Sequence, residues 1–373
     1  MSGEGTSVED AIERIRALGP LDGDAAAATT AHLDTLTKPP GSLGRLEELV
    51  VRLAGITGDP RRTYQRRAIV IAAADHGVAR QGVSAYPADV TPQMVATFLG
   101  GGAAINVLAG LVGARVTVVD AGVAGPIPAG PPAIASSAAT LIRAPLRAGT
   151  DDLTAGPAMQ RDEARHSIEL GIEVAGSLER DGVELLGVGE MGIGNTTAAS
   201  AVTAALTGLD PSRVTGRGTG IDDATHVRKV EVIRTALDRA RPDPADPLGV
   251  LAELGGFEFG ALVGLMLGAS AARIPVILDG FITGAAALLA AGLVPGVETR
   301  FIAAHRSVEP GHAVVLERLG TRPLLELDLR LGEGTGAALA MSLVDAAVAV
   351  RDGMATFDSA GVAGPTGSPE RVR

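Results

Sequence analysis

Three glycine-rich loops hold the residues best suited to do chemistry. Gly187-Val188-Gly189-Glu190-Met191-Gly192 has the G-x-G-x-x-G spacing, follows a β-branched run and leads into Asn195-Thr196-Thr197. Such a turn brings backbone N–H groups to a phosphate at a helix N-terminus. It binds a dinucleotide only if a second strand ends in an acid about 20 residues on. Asp210 sits in a Gly-Leu-Asp-Pro turn and does not meet that condition. A phosphate cradle and simple close strand–helix packing both remain open. Gly332-Glu333-Gly334-Thr335-Gly336 opens a further helical segment. Glu333 is there either a capping acid favoured by the helix dipole or a general base at a substrate's edge. In Gly216-Arg217-Gly218-Thr219-Gly220-Ile221-Asp222-Asp223, the paired aspartates either cap a helix or hold a divalent cation. Lys229, two helical turns beyond, reaches a phosphate only if the chain folds back.

The histidines are less informative. His76 and His305 end strand-like runs, whereas His32, His166 and His226 fall on polar faces. His305 and His312 flank a Glu309-Pro310-Gly311 turn, which does not suit a helical metal pair. Nucleophile-elbow, Walker A and HExxH motifs do not occur.

The elements that must position these residues alternate. Near-continuous apolar runs at Ala68–Ala74, Ala114–Val119, Val183–Val188, Ile274–Leu278, Thr299–Ala304 and Leu324–Leu329 alternate with Ala/Leu/Gly-rich helical segments. That pattern predicts an α/β fold, a parallel β-sheet flanked by helices, with ligands at the carboxyl ends of the strands. Ser7–Leu18, Ala25–Leu36 and Leu43–Leu53 read as amphipathic helices with no strand between them, the last with Gly41-Ser42 as its N-cap signal. The expected division is a small helical domain from 1–67 plus about 337–356, a Rossmann-like large domain over 68–336, and a disordered tail over 357–373.

Composition narrows the chemistry. No cysteine and no tryptophan occur, so thiol nucleophiles, cysteine-ligated zinc and iron–sulfur clusters are excluded. A net charge of −11 with two tyrosines and six phenylalanines argues against nucleic-acid binding. An acidic N-terminus without an apolar core predicts no signal peptide and a cytoplasmic protein. The charge-free stretches Val90–Ala114 and Ala121–Ile142 are interrupted by Gly100-Gly101-Gly102 or by prolines, so no membrane span is expected.

Taken in order, the loops resemble the nicotinate-nucleotide:dimethylbenzimidazole phosphoribosyltransferase family of cobalamin lower-ligand synthesis. The resemblance is carried by Lys38-Pro39-Pro40-Gly41-Ser42-Leu43-Gly44-Arg45-Leu46, Asp75-His76-Gly77, Gly189-Glu190-Met191-Gly192-Ile193-Gly194-Asn195-Thr196-Thr197, Gly255-Gly256-Phe257-Glu258, Asp279-Gly280-Phe281 and Arg330-Leu331-Gly332-Glu333-Gly334-Thr335-Gly336. It spans about residues 30 to 350. It implies a homodimer with a large α/β domain and a small helical one. The implied reaction moves the phosphoribosyl group of nicotinate mononucleotide to 5,6-dimethylbenzimidazole, giving α-ribazole 5′-phosphate and nicotinate without cofactor or metal. Glu333 is then the implied general base. Glu190, Gly192, Ile193, Gly194, Asn195, Thr196, Lys229, Ser307, Gly332 and Gly334 would hold the nucleotide, and Tyr86, Gln93, Met94 and Leu331 the base. Transfer to a different aromatic acceptor, or a non-catalytic nucleotide-binding protein on this fold, are the alternatives.

Overall fold

The computed structural model describes residues 7–128, 138–218 and 220–364. Helices α1 (Val8–Leu18), α2 (Gly23–Thr35) and α3 (Arg45–Thr57) precede strand β1 (Arg67–Ala74). Helices α4 (Val90–Leu99) and α5 (Ala104–Leu111) then lead to β2 (Ala114–Gly122) and β3 (Thr140–Arg143). Next come α6 (Arg161–Arg180), β4 (Leu185–Met191), α7 (Asn195–Thr207), α8 (Pro211–Val214), α9 (Asp223–Ala240), α10 (Pro247–Leu254) and α11 (Phe257–Ala271). The chain closes with β5 (Val276–Leu278), α12 (Phe281–Leu293), β6 (Phe301–Ala303), α13 (Pro310–Arg318), α14 (Thr335–Gly353) and α15 (Phe357–Ala360).

The six strands among the described residues all run parallel, in the order β3-β2-β1-β4-β5-β6. That order reverses direction between β1 and β4, which is where an open α/β sheet leaves a crevice at its carboxyl edge. The fold class is as the alternating pattern predicts. The expected run Leu324–Leu329 differs: it forms a single bridge, His305 to Leu325, because Glu326, Leu327 and Asp328 face solvent. Strand β3 has no counterpart among the expected runs.

Two apolar layers cover the sheet. One face meets α6, α7, α11 and α12, and the other meets α3, α4, α5 and α14. The three N-terminal helices do not share a layer. Val8, Ala11 and Ile15 of α1 bury against α6 and α11, whereas α2 packs on α3 and α3 on α14. Helix α3 begins at Gly44 rather than at Ser42, and Gly44 offers no side-chain cap. Glu47 does that work instead: its Oε1 accepts from the Leu43 N–H at 2.9 Å and meets buried Lys38 at 2.9 Å. The tail is not irregular from its start, since Phe357–Ala360 forms a helical turn capped by Thr356. Residues 365–373 of the expected tail lie outside the described residues. The apolar stretch Val90–Leu111, long enough by length and composition to cross a membrane, is broken into α4 and α5 at Gly100–Ala103 and is half buried.

Helices α6 and α11 cross with their backbones nearly touching. A Cβ on Gly171 would stand 2.0 Å from the Ala261 carbonyl oxygen, and one on Gly264 would stand 1.9 Å from that of Ile168. Many glycines therefore serve packing, not the ligand loops.

Candidate active site

The carboxyl ends of β4, β5 and β6 open into a cavity of about 390 Å³. Its floor carries Glu190, Asp279 and His305, one from each strand end. One wall is the turn from Gly192 to Thr196; Arg330 to Glu333 form the opposite wall, and Ser307 and Glu309 lie beside Phe281. Tyr86 and Leu331 stand at the rim, each more than half exposed.

The G-x-G-x-x-G run serves two ends. Gly187 and Gly189 are packing residues: a Cβ on Gly189 would lie 2.4 Å from the Gly334 nitrogen, so β4 admits the Glu333–Gly334 loop only because that side chain is missing. Beyond Gly192 the chain turns at Gly194, with φ +99°, into α7. Ile193 N–H donates to Thr91 Oγ1 at 3.1 Å and Asn195 N–H to the Gly192 carbonyl at 3.1 Å. The N–H groups of Gly194 and Thr196 have no intramolecular partner among the described residues. Lys229 does fold back: its Nζ donates to Thr196 Oγ1 at 2.8 Å from a fully buried position. Burial pulls its pKa down to about 8, against the opposing pull of Glu309. Glu309 in turn accepts from the Gly218 N–H at 2.8 Å.

The second loop is arranged differently. Gly332, Glu333 and Gly334 all have positive φ, at +81°, +65° and +87°. For a glutamate this left-handed conformation costs on the order of 1 to 2 kcal/mol. Asp279 fills the N-terminus of α14, accepting from Gly334 at 3.1 Å, Gly336 at 2.7 Å and Ala337 at 3.2 Å. The Gly334 N–H, expected on a phosphate, is therefore already committed; those of Gly332 and Glu333 have no intramolecular partner among the described residues.

Four carboxyls line this cavity, those of Glu190, Asp279, Glu309 and Glu333. Burial first, then the Asp279 charge, pushes Glu333 up to about 7, with the Ile105 N–H pulling the other way. Burial followed by Asp279 and Glu258 pushes Glu190 up to about 8, although Asn195 Nδ2 donates to its Oε2. At neutral pH Glu190 thus presents an O–H, while Glu333 is poised near half ionisation.

Of the expected residues, Glu190, Gly192, Ile193, Asn195, Thr196, Ser307, Gly332, Glu333, Tyr86, Met94 and Leu331 come together on the cavity surface. Gly194 shapes the turn behind it, and Lys229 reaches it through Thr196. The exposed Gln93 side chain does not line the cavity, although Met94 beside it does. Ser307 is held by its N–H, which donates to His312 Nδ1 at 2.9 Å. Asp222 accepts from the Thr225 N–H at 2.8 Å as the cap of α9, and Asp223 pairs with Arg217. No cluster able to hold a metal ion occurs among the described residues.

A phosphoribosyltransferase family model matches residues 18–362. The nicotinate-nucleotide–dimethylbenzimidazole phosphoribosyltransferase of Chloroflexus aggregans is 58% identical over 94% of this chain and 97% of its own. That of Roseiflexus sp. (strain RS-1) is 56% identical over 94% and 98%. The chain belongs to this family. A crystal structure of the Thermus thermophilus nicotinate-nucleotide–dimethylbenzimidazole phosphoribosyltransferase superposes with a TM-score of 0.85 at 46% identity, covering 92% of this chain and 100% of that one. Phosphoribosyl transfer is accordingly the activity of this chain.

Sequence reasoning missed three features of the site. Glu309 lies two residues from Ser307 but acts on a loop 91 residues away, and His305 lines the cavity with its Nε2 3.8 Å from Asp279 Oδ1. The capping of α14 by Asp279 spans 55 to 58 residues. The acid ending the β5 run was the only available signal for that contact.

Proposed function

We infer that this enzyme transfers the phosphoribosyl group of nicotinate mononucleotide to 5,6-dimethylbenzimidazole, releasing nicotinate and α-ribazole 5′-phosphate. The names of the relatives support the substrates. The observation that carries the chemistry is Glu333, a buried carboxylate at the cavity wall with its pKa near neutrality. One ring nitrogen of the benzimidazole attacks the anomeric carbon as the bond to the pyridinium nitrogen breaks. The bonding pair returns to that nitrogen, so the leaving group departs neutral and needs no acid. The other ring N–H gives its proton to Glu333. Attack opposite the leaving base converts a β-nucleotide into an α-product.

The unpartnered N–H groups of Gly194 and Thr196, backed by Lys229, suit the phosphate at the N-terminus of α7. Those of Gly332 and Glu333 face it from the other wall. Tyr86, Met94 and Leu331 supply the surface for an aromatic acceptor. The reading extends to a cytoplasmic homodimer with no membrane or nucleic-acid partner, and to the division into small and large domains at 1–67 plus 337–356 and 68–336, apart from α1, which packs on α6 and α11 of the large part. Light scattering on the purified chain tests the dimer.

Glu333→Gln tests the mechanism. It should keep nucleotide binding and lower kcat by about 10²-fold or more, the scale of a positioned base. Near-native nicotinate release in that variant would remove Glu333 from the chemistry. A panel of aromatic acceptors assayed by nicotinate release identifies the base.

A further inference from the structure

Beneath the Gly192–Gly194 turn lies an ionisable pair that the transfer chemistry does not use. His76, just past the end of β1, and Glu258, in the first turn of α11, meet at 2.5 Å between Nε2 and Oε1. Neither side chain has any exposed surface. His76 Nδ1 and Glu258 Oε2 have no hydrogen-bond partner among the described residues. A buried pair of this kind contributes little net stability over apolar residues of the same volume.

Its neighbours indicate a task. A Cβ on Gly194 would stand 3.2 Å from His76 Cβ, and one on Gly192 3.5 Å from His76 Cδ2. On the far side a Cβ on Gly256 would stand 2.4 Å from both Glu258 Oε2 and His76 Cε1. The Phe259 ring meets the imidazole edge-on, with centroids 6.3 Å apart. The pair is therefore clamped by the start of α11 and bears directly on the turn that opens α7. The titratable groups facing it are Asp75 at the end of β1 and Glu190 on β4, and Glu258 is one cause of the raised Glu190 carboxyl. Asp279 and Glu333 act on Glu190 from the β5 and α14 sides.

We propose that His76 and Glu258 are positioning residues for the phosphoribosyl donor. Together they set the height of the Gly192–Gly194 turn, and with it the direction of the Gly194 and Thr196 N–H groups. The proposal rests on reading this cavity as the nucleotide site.

Glu258→Gln and His76→Gln, compared with the wild-type enzyme in steady-state nicotinate release, test it. Gln at 258 keeps the size and an acceptor for the imidazole N–H but removes the charge. Gln at 76 keeps a donor but removes the ring under the turn. Both should raise the KM for nicotinate mononucleotide about tenfold, with kcat and the KM for dimethylbenzimidazole within about threefold of native. A native nucleotide KM in both variants overturns the proposal. So does a loss spread equally over both substrates that follows a fall in Tm. If Glu258→Gln does not fold, His76→Gln decides alone, with nicotinate mononucleotide affinity read by calorimetry. A wild-type enzyme that releases no nicotinate would instead fail the functional reading on which the proposal stands.

Discussion

Helices α7 and α14 begin alike and end up with opposite duties. Each starts at a left-handed glycine, Gly194 or Gly334, with no side-chain cap from that residue, and each points its N-terminus at the cavity from the sheet's carboxyl edge. Such an end attracts an anion. In α14 the anion belongs to the chain: Asp279 takes three N–H groups. In α7 the Gly194 and Thr196 donors have no partner among the described residues, and Lys229 stands behind them. One motif thus leaves one helix end with unpartnered donors and closes the other; on the function proposed above, the first receives the phosphate and the second mounts the proton acceptor. What differs is whether a resident carboxylate has been supplied.

The contrast can be pressed from either side. Its largest effect is the loss of kcat in Glu333→Gln already described, on the α14 side. Lys229→Ala on the α7 side comes next and should act on binding instead. It should raise the KM for nicotinate mononucleotide by about 30-fold while sparing the acceptor's, as expected for a lost charge-assisted contact. An equal effect on both substrates would dissolve the distinction between the two helix ends.

Asp279→Asn sharpens the comparison through pH. A Glu333 that acts as the proposed base must be deprotonated, so kcat/KM should climb as pH rises through about 7. It should fall again above about 8 as Lys229 loses its proton. Removing the Asp279 charge lets Glu333 ionise more readily, which moves the acid limb to lower pH and leaves the alkaline one in place. An unmoved acid limb would separate Asp279 from the base. The smallest effect is on stability. Gly194→Ala forces a side chain into φ +99° and should lower stability by about 1 to 2 kcal/mol in urea titration.

The sheet was largely readable because β1, β2, β4, β5 and β6 are buried on both faces and so appear as unbroken apolar runs. Strand β3 carried no such sign, since Thr140 and Arg143 are exposed at the sheet edge and the strand is four residues long. The apolar residues of Leu324–Leu329 promised a strand that the exposed acids among them prevent. At the site, Glu333 and the 192–196 turn were legible because their roles sit inside contiguous motifs. The contacts of Asp279, Glu309 and the His76–Glu258 pair were not, because each joins residues 55 to 182 positions apart and exists only once the sheet has gathered its strand ends.

The close crossing of α6 and α11 has a practical consequence for anyone who would engineer this enzyme. Replacing helical glycine by alanine is a routine means of raising thermal tolerance, since it restricts the unfolded chain. Here the same exchange at Gly171 or Gly264 would drive a methyl group into a neighbouring main chain and prise apart the slab on which the sheet rests. Residues that a stabilisation campaign would change first are the ones it must leave alone.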